Sequence, residues 1–284
     1  MNPYRKYVSD FAELVRAGKS LPLGEIPRLS ATPKTTKGNA LFFAPHPDDE
    51  CIVGALAVRI ARESGLRLKN VAVTLGSKKN RQAERLVELE AACKYLDFDL
   101  LTTGPGGLEQ INPRTRSRDP SAWAQSIRVV QGILVEHEPR VILFPHEHDW
   151  NSTHIGSHFL VMDALKEMPE DFECFLVETE FWGQMAEPNL MVEISEDDLA
   201  DMIAATSFHV GEVKRNPYHL LLPAWTMDNV RRGTELVGGQ GGVAPDYMFA
   251  ALYRLRKWSK GQATSFLESG RPISKSENVG NLFI

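Results

Sequence analysis

The feature that most constrains this chain is an alternation that runs from residue 40 to residue 181. Short apolar runs at 40–45, 68–74, 99–102, 140–144 and 174–181 take turns with longer stretches of helical periodicity at 49–64, 80–96, 122–136 and 152–166. The short runs are apolar throughout instead of at every second residue, as expected of strands buried on both faces. Parallel neighbours need a crossover, usually a helix, and such crossovers are right-handed. The expected fold is therefore α/β, a doubly wound, mostly parallel, Rossmann-like sheet with helices on both faces. Ligands of such sheets bind outside the carboxyl ends of the strands, which directs attention to the residues just after Phe43 and Phe144.

The flanks are less regular. Residues 4–17 have apolar positions at helical spacing and predict a leading helix, and 18–39 is a connector rich in Pro, Thr, Lys and Gly. Beyond Phe181 the pattern predicts a strand at 189–194 and a helix at 196–206. Segments 220–222 and 247–257 are expected to pack back onto the sheet, 238–242 is a glycine-rich loop, and the polar residues after Lys260 are expected to fray. The organisation expected is a helix and connector at 1–38, one domain at 39–260 and a tail at 261–284.

Composition removes several classes of partner. Among 284 residues, 43% are apolar and 24% charged, which excludes wholesale disorder. Lysine and arginine number 32 against 37 acids, a net charge of −5 with no polybasic block. That argues against nucleic acid and against an anionic membrane surface as partner. No 18-residue apolar run predicts a membrane span, and no apolar segment near Met1 has signal-peptide length. Three cysteines without a CxxC fit a reducing compartment, and the expected location is the cytoplasm.

Chemistry concentrates at two strand ends. The first is followed by Pro45-His46-Pro47-Asp48-Asp49-Glu50, an imidazole and three carboxylates in five residues, with a proline on each side of His46 to stiffen the turn. His46 and Asp49 can converge on one ion as nitrogen and oxygen ligands, and Asp48 would lie beside it without necessarily binding. The fourth apolar run is followed by a segment in which four of the eight histidines, His146, His148, His154 and His158, fall within thirteen residues. His154 and His158 are four apart and share a helix face, so either can be the third ligand. His46, Asp49 and one of these two make the His/Asp/His set with an open position that a catalytic zinc requires. Fe2+ or another divalent ion suits the same donors.

The PHPDDE string and the later histidine segment resemble the LmbE-like or PIG-L family of zinc-dependent N-acetylglucosamine deacetylases. The resemblance spans about 39–212. It includes Thr74-Leu75-Gly76, then Arg85, Glu88, Ala91, Ala92 and Leu96, and later Val192-Glu193-Ile194-Ser195 leading to His209. By resemblance, His46, Asp49 and His154 ligate the zinc, Asp48 is the general base and Arg85 contacts substrate, with Arg81 close enough in sequence to compete for that role. The chain departs from the family at two places. Asn151 stands where a histidine often helps hold the oxyanion, and His209-Val210-Gly211-Glu212 stands where His-x-Ser-Gln is usual. Asn151 and His209 are the implied catalytic donors.

The activity implied is hydrolysis of an N-acetyl amide on a small-molecule sugar or sugar conjugate, releasing acetate and an amine, by a chain that by family habit is a homo-oligomer. Trp150, Phe181, Trp182 and Trp225 are candidates for stacking on a sugar, though each is also an ordinary core or interface residue. Glu178 and Glu180 either orient neighbouring groups or are solvated. Two other classes remain. A nucleotide-binding protein would carry GxGxxG at the first turn, where this chain carries carboxylates. A noncatalytic metal-binding, carbohydrate-recognition module would have no use for Asp48 as a base. Hydrolysis of a different amide is also open.

Overall fold

A computed structural model of the chain describes residues 2–27 and 36–284. Helix α1 (Tyr4–Gly18) forms where its periodicity predicts, but none of its residues is buried. The connector expected at 18–39 is described only up to 27 and from 36 onward. The alternation then unfolds in order. It runs β1 (Asn39–Ala44), α2 (Asp49–Ile52), α3 (Ala55–Arg59), β2 (Arg67–Ala72), α4 (Gln82–Leu96), β3 (Asp99–Thr102), α5 (Pro113–Arg118), α6 (Pro120–His137), β4 (Pro139–Pro145), α7 (Ser152–Lys166) and β5 (Cys174–Thr179). Next come β6 (Leu190–Glu193), α8 (Glu196–Ser207), α9 (Val210–Arg215), α10 (Leu222–Leu236), β7 (Ala250–Ser259), β8 (Gln262–Ser265) and β9 (Arg271–Ile273).

The strands make one mixed sheet in the order β3-β2-β1-β4-β5-β7-β6-β9, with β8 paired to β7. The β1–β2, β1–β4, β2–β3 and β4–β5 pairs are parallel, and β7 runs antiparallel to β5 and β6. The fold is thus the expected α/β sheet with helices on both faces. Alternate residues of β1 serve opposite cores: Ala40 and Phe42 pack with α2, α3, α4 and α8, and Leu41 and Phe43 pack with α6 and α7. From β1 the chain winds outward to β2 and β3, then returns to place β4 on the other side of β1. The crevice at that reversal is where this class of sheet holds its ligands.

Two expectations are corrected, and one helix, α10, is added. The helix expected over 49–64 is interrupted at Val53–Gly54 and ends in a π-helical turn, Ile60–Ser64. The bend is so tight that a Cβ on Gly54 would lie 2.1 Å from the Glu50 carbonyl oxygen. Helix α10 escapes the periodicity because its buried stripe is partly polar: Thr226 and Asn229 sit between Leu222, Val230 and Gly233, each polar side chain bonded to a backbone carbonyl. The residues after Lys260 do not fray. β9 pairs with β6, and Val279, Leu282 and Phe283 are buried in the main core.

Candidate active site

The β1 carboxyl end delivers His46, Asp48 and Asp49, and the N-terminal turn of α7, just after β4, delivers His154. His46 Nδ1 lies 3.2 Å from His154 Nε2 and 3.5 Å from Asp49 Oδ2. His154 Nε2 is 3.3 Å from that same oxygen. Three electron-pair donors facing one another at these distances repel unless a proton or cation lies among them. Ligands about 2.0–2.1 Å from a tetrahedral ion are spaced about 3.3 Å apart, so this triad fits a divalent cation. Asp49 Oδ1 is buried without a hydrogen-bond partner among the described residues, which fits too.

The electrostatics agree. Burial alone would raise the Asp49 carboxyl, but His154 and His46 hold it well below the usual carboxylate range. Burial alone would lower the His154 pKa, but Asp49 and Asp149 push it up to about 10. Without a cation His154 therefore keeps a proton at neutral pH, and a metal held by the triad would take that proton's place. Asp149 Oδ2 stands 3.6 Å from His154 Nδ1 and is itself fixed by the backbone N–H groups of Trp182 and Gly183. Phe181 packs on the His154 ring at 4.7 Å between centroids.

Asp48 is held differently. Its φ of 115° is a left-handed value that costs a non-glycine residue strain. Its N–H donates to Glu50 Oε2 at 2.9 Å, and Tyr218 Oη donates to its Oδ2 at 2.5 Å. Arg85 Nη2 lies 3.7 Å from Oδ1 and donates to the Pro47 carbonyl at 2.7 Å. Burial, then the neighbouring Asp49, push the Asp48 carboxyl up to about 6, against the pull of His209, Arg85 and Tyr218. An acid poised near neutrality suits proton transfer.

His46, Asp48 and Asp49 open into a cavity of about 270 Å³ whose wall includes Arg85, Asn151, Trp182 and Tyr218, with His154 buried behind it. Asn151 caps α7. Its Oδ1 accepts the Thr153 N–H at 2.8 Å, which leaves Nδ2 as the group with hydrogen bonds to give.

Residues 41–165 match the family described as PIG-L: GlcNAc-PI de-N-acetylase. This segment belongs to the PIG-L family. It carries β1 to α7, and with them every residue of the triad. Solved structures extend the likeness over most of the chain. N,N'-diacetylchitobiose deacetylase from Pyrococcus horikoshii has a TM-score of 0.55 at 15% identity, with 92% of this chain and 96% of that chain covered. The conserved protein TT1542 from Thermus thermophilus has a TM-score of 0.55 at 18% identity, over 82% and 99%. GalB, the 4-carboxy-2-hydroxymuconate hydratase from Pseudomonas putida, has a TM-score of 0.57 at 14% identity, over 77% and 95%. A deacetylase and a hydratase share this fold, so the fold alone does not fix the reaction. No curated protein matches the sequence. Among the described residues, no helix is long and apolar enough to cross a membrane.

Within this PIG-L frame the remaining expected residues divide. His158 does not join the triad. Its Nδ1 meets the Pro145 carbonyl oxygen at 3.0 Å and Glu178 at 3.5 Å. Its neighbours Glu147 and Glu178 are ion-paired with Arg254, and Glu178 with Arg256 as well. His209 is fully buried, with Nε2 2.7 Å from Glu50 Oε1, so it reaches the site only through Glu50. His146 bonds the Gly183 carbonyl at 2.8 Å, and the His148 side chain is largely exposed. Trp150 is exposed, and Trp225 packs beside the main core. Of the four aromatic candidates, Phe181 and Trp182 line the cavity. Glu178 and Glu180 are buried in arginine pairs and not solvated. Tyr218 had no sequence signal, since it opens a single 3-10 turn, Tyr218–Leu221, between α9 and α10. Asp149 was visible in the histidine segment, but only its distance to His154 assigns it a task.

Proposed function

We propose that this chain is a zinc-dependent N-deacetylase acting on an N-acetylglucosamine-type sugar or sugar conjugate. The observation that carries the reading is Asp48, an acid beside the His46/Asp49/His154 triad but outside it, held near neutrality and facing the same cavity. A structural metal site has no use for such a group. A divalent ion on the triad would supply Lewis acidity to the acetamide carbonyl and to the attacking water.

The chain's own residues supply the rest. Asp48 takes the proton from the water as it attacks, and later gives it to the leaving amine. Tyr218 and Arg85 hold that carboxyl in place through the cycle. Asn151 Nδ2 donates to the developing oxyanion from the rim, a contribution of about 3–4 kcal/mol for donors of this kind. His209 acts in this reading by bracing Glu50 and not by touching substrate. Trp182 offers an aromatic face to a sugar ring.

The test pairs two variants. Asp48→Asn is preferred to Ala because asparagine tolerates the left-handed backbone. It should keep about one equivalent of divalent ion by elemental analysis while amine release from N-acetylated sugars falls about 10²–10⁴-fold. His154→Ala should lose the ion. Equal metal loss in both would remove Asp48 from the role of base. Elemental analysis of the wild-type protein also decides between zinc and iron.

A further inference from the structure

The stretch from His209 to Tyr218 grips the Asp48 turn from both of its ends. At the start, His209 Nε2 lies 2.7 Å from Glu50 Oε1, and the other Glu50 oxygen accepts the Asp48 N–H at 2.9 Å. At the end, Tyr218 Oη donates to Asp48 Oδ2 at 2.5 Å. Between them lies α9, which buries only Glu212 and Val213. A short helix with one buried apolar side chain has little packing to fix it, so its polar contacts decide where it sits.

Two of those contacts tie α9 to α4. Arg81, at the start of α4, donates from Nη1 to Oε1 of the buried Glu212 at 3.0 Å, and Glu88 Oε1 accepts the Gly211 N–H at 2.9 Å. Arg81, Arg85 and Glu88 are four and three residues apart, so they share one face of that helix. Arg85, in the middle, donates to the Pro47 carbonyl beside Asp48. Helix α4 is itself set by Leu89, Ala92 and Cys93 in the main core.

The clamp is made by the two residues at which the chain leaves the His-x-Ser-Gln pattern. A Cβ on Gly211 would lie 1.8 Å from Arg81 Nη2, so a serine there would displace the guanidinium. A glutamine at 212 would offer that guanidinium no charge. Arg81 is fully engaged by this arrangement, with Nη1 on Glu212, Nε 3.6 Å from Glu84 and Nη2 against Gly211.

We propose that Arg81 and Glu212 are positioning residues, which lock the 209–218 segment onto α4 so that Tyr218 holds Asp48 in place. Arg81 on this account touches no substrate. For its effect on turnover the proposal rests on the deacetylase reading; for the fixing of the segment it rests on these contacts alone.

The experiment has two arms on the metal-loaded protein, amine release from N-acetylated sugars and amide hydrogen exchange. Arg81→Gln should lower kcat about tenfold, the worth of a hydrogen bond to a charged group, with KM nearly unchanged. Arg81→Lys should recover part of the loss, and Glu212→Gln, which breaks the contact from the other side, should reproduce it. Tyr218→Phe should cost a similar factor, and Arg81→Gln/Tyr218→Phe should be no worse than the poorer single variant, because both remove one support. In Arg81→Gln the amides of 210–218 should exchange faster while those of β1 do not change. A rise in KM at constant kcat would make Arg81 a substrate contact and overturn the proposal. Losses that multiply in the double variant would also overturn it, as would unaltered exchange at 210–218. If the wild-type protein releases no amine from any N-acetylated sugar, the deacetylase reading fails, and exchange alone then decides whether Arg81 fixes the segment.

Discussion

At the scale of single residues, the site depends on Asp48 remaining in a backbone conformation that aspartate does not favour. Strain of this kind costs about 1–3 kcal/mol and persists only where neighbours enforce it. Glu50 is the main enforcer: it accepts the Asp48 N–H with one oxygen, and the His209 ring and the Cys51 thiol with the other. Burial by itself would lower the His209 pKa, but Glu50 raises it, so the two form a buried ion pair. Glu50→Ala leaves the buried His209 ring and the Asp48 N–H without their partner, a loss of about 3–5 kcal/mol. Denaturant unfolding should read that loss, and turnover should fall while the triad still binds its ion. Loss of the ion along with turnover would mean that Glu50 supports the triad rather than Asp48. Much of this neighbourhood was legible beforehand, because His46, Asp48, Asp49 and Glu50 are nearly contiguous and come directly after a strand. The choice between His154 and His158 was not, since residues four apart on a helix share a face and only the approach of Asp49 separates them. Tyr218 and Glu212 were hidden because they lie where no hydrophobic period indicates which way a side chain points.

At the scale of elements, His154 is only as well placed as α7. That helix is tied to its neighbours by Asp163, which accepts from Arg116 of α5 at 2.6 Å and from Trp123 of α6 at 3.0 Å. Burial alone would raise the Asp163 carboxyl, but the hydrogen bonds from Arg116, Trp123 and Lys166 outweigh it and hold the pKa below its ordinary value. A depressed folded-state pKa gives stability that is present above the unfolded pKa, near 4, and is lost as pH falls through the lower folded value. Asp163→Asn should therefore cost about 1–2 kcal/mol at pH 7, an amount moderated by the partial exposure of Arg116. The difference from wild type should shrink on acidification below pH 4, and a constant difference across that range would separate the effect from the ion pair. Helix α7 itself was readable to the residue, because Asn151 caps it and apolar positions run through it. Helix α5 was not: Pro113–Arg118 is one short turn with no apolar face.

At the scale of the whole molecule, the question is whether the last fourteen residues belong to the cooperative unit. Their polar sequence suggested an appendage, but three apolar side chains, Val279, Leu282 and Phe283, are buried in the main core. At about 1.5–3 kcal/mol each, they contribute an amount comparable with the entire net stability of a domain, so the segment cannot leave while the rest stays folded. Arg59 connects the two regions. Fully buried on the first crossover, it donates to the carbonyl oxygens of Glu193, Ser274 and Glu277, while its partner Glu63 accepts the Val279 N–H. The polar content of 261–284 misled because its binding groups are backbone carbonyls, which no side-chain pattern reveals. Arg59→Met keeps the apolar stem but leaves those carbonyls unpaired and Glu63 without its cation, a cost of about 3–5 kcal/mol. If the segment is integral, denaturant should still unfold the variant in one transition at a lower midpoint, and amides of 271–283 should exchange together with those of β6 and β7. If it is an appendage, those amides alone should lose protection while the midpoint stays where it was. Pairing of β9 with β6, and of β6 with β7, makes the single transition the expected outcome, because detaching the tail would expose the β6 edge and open the core beneath it at once.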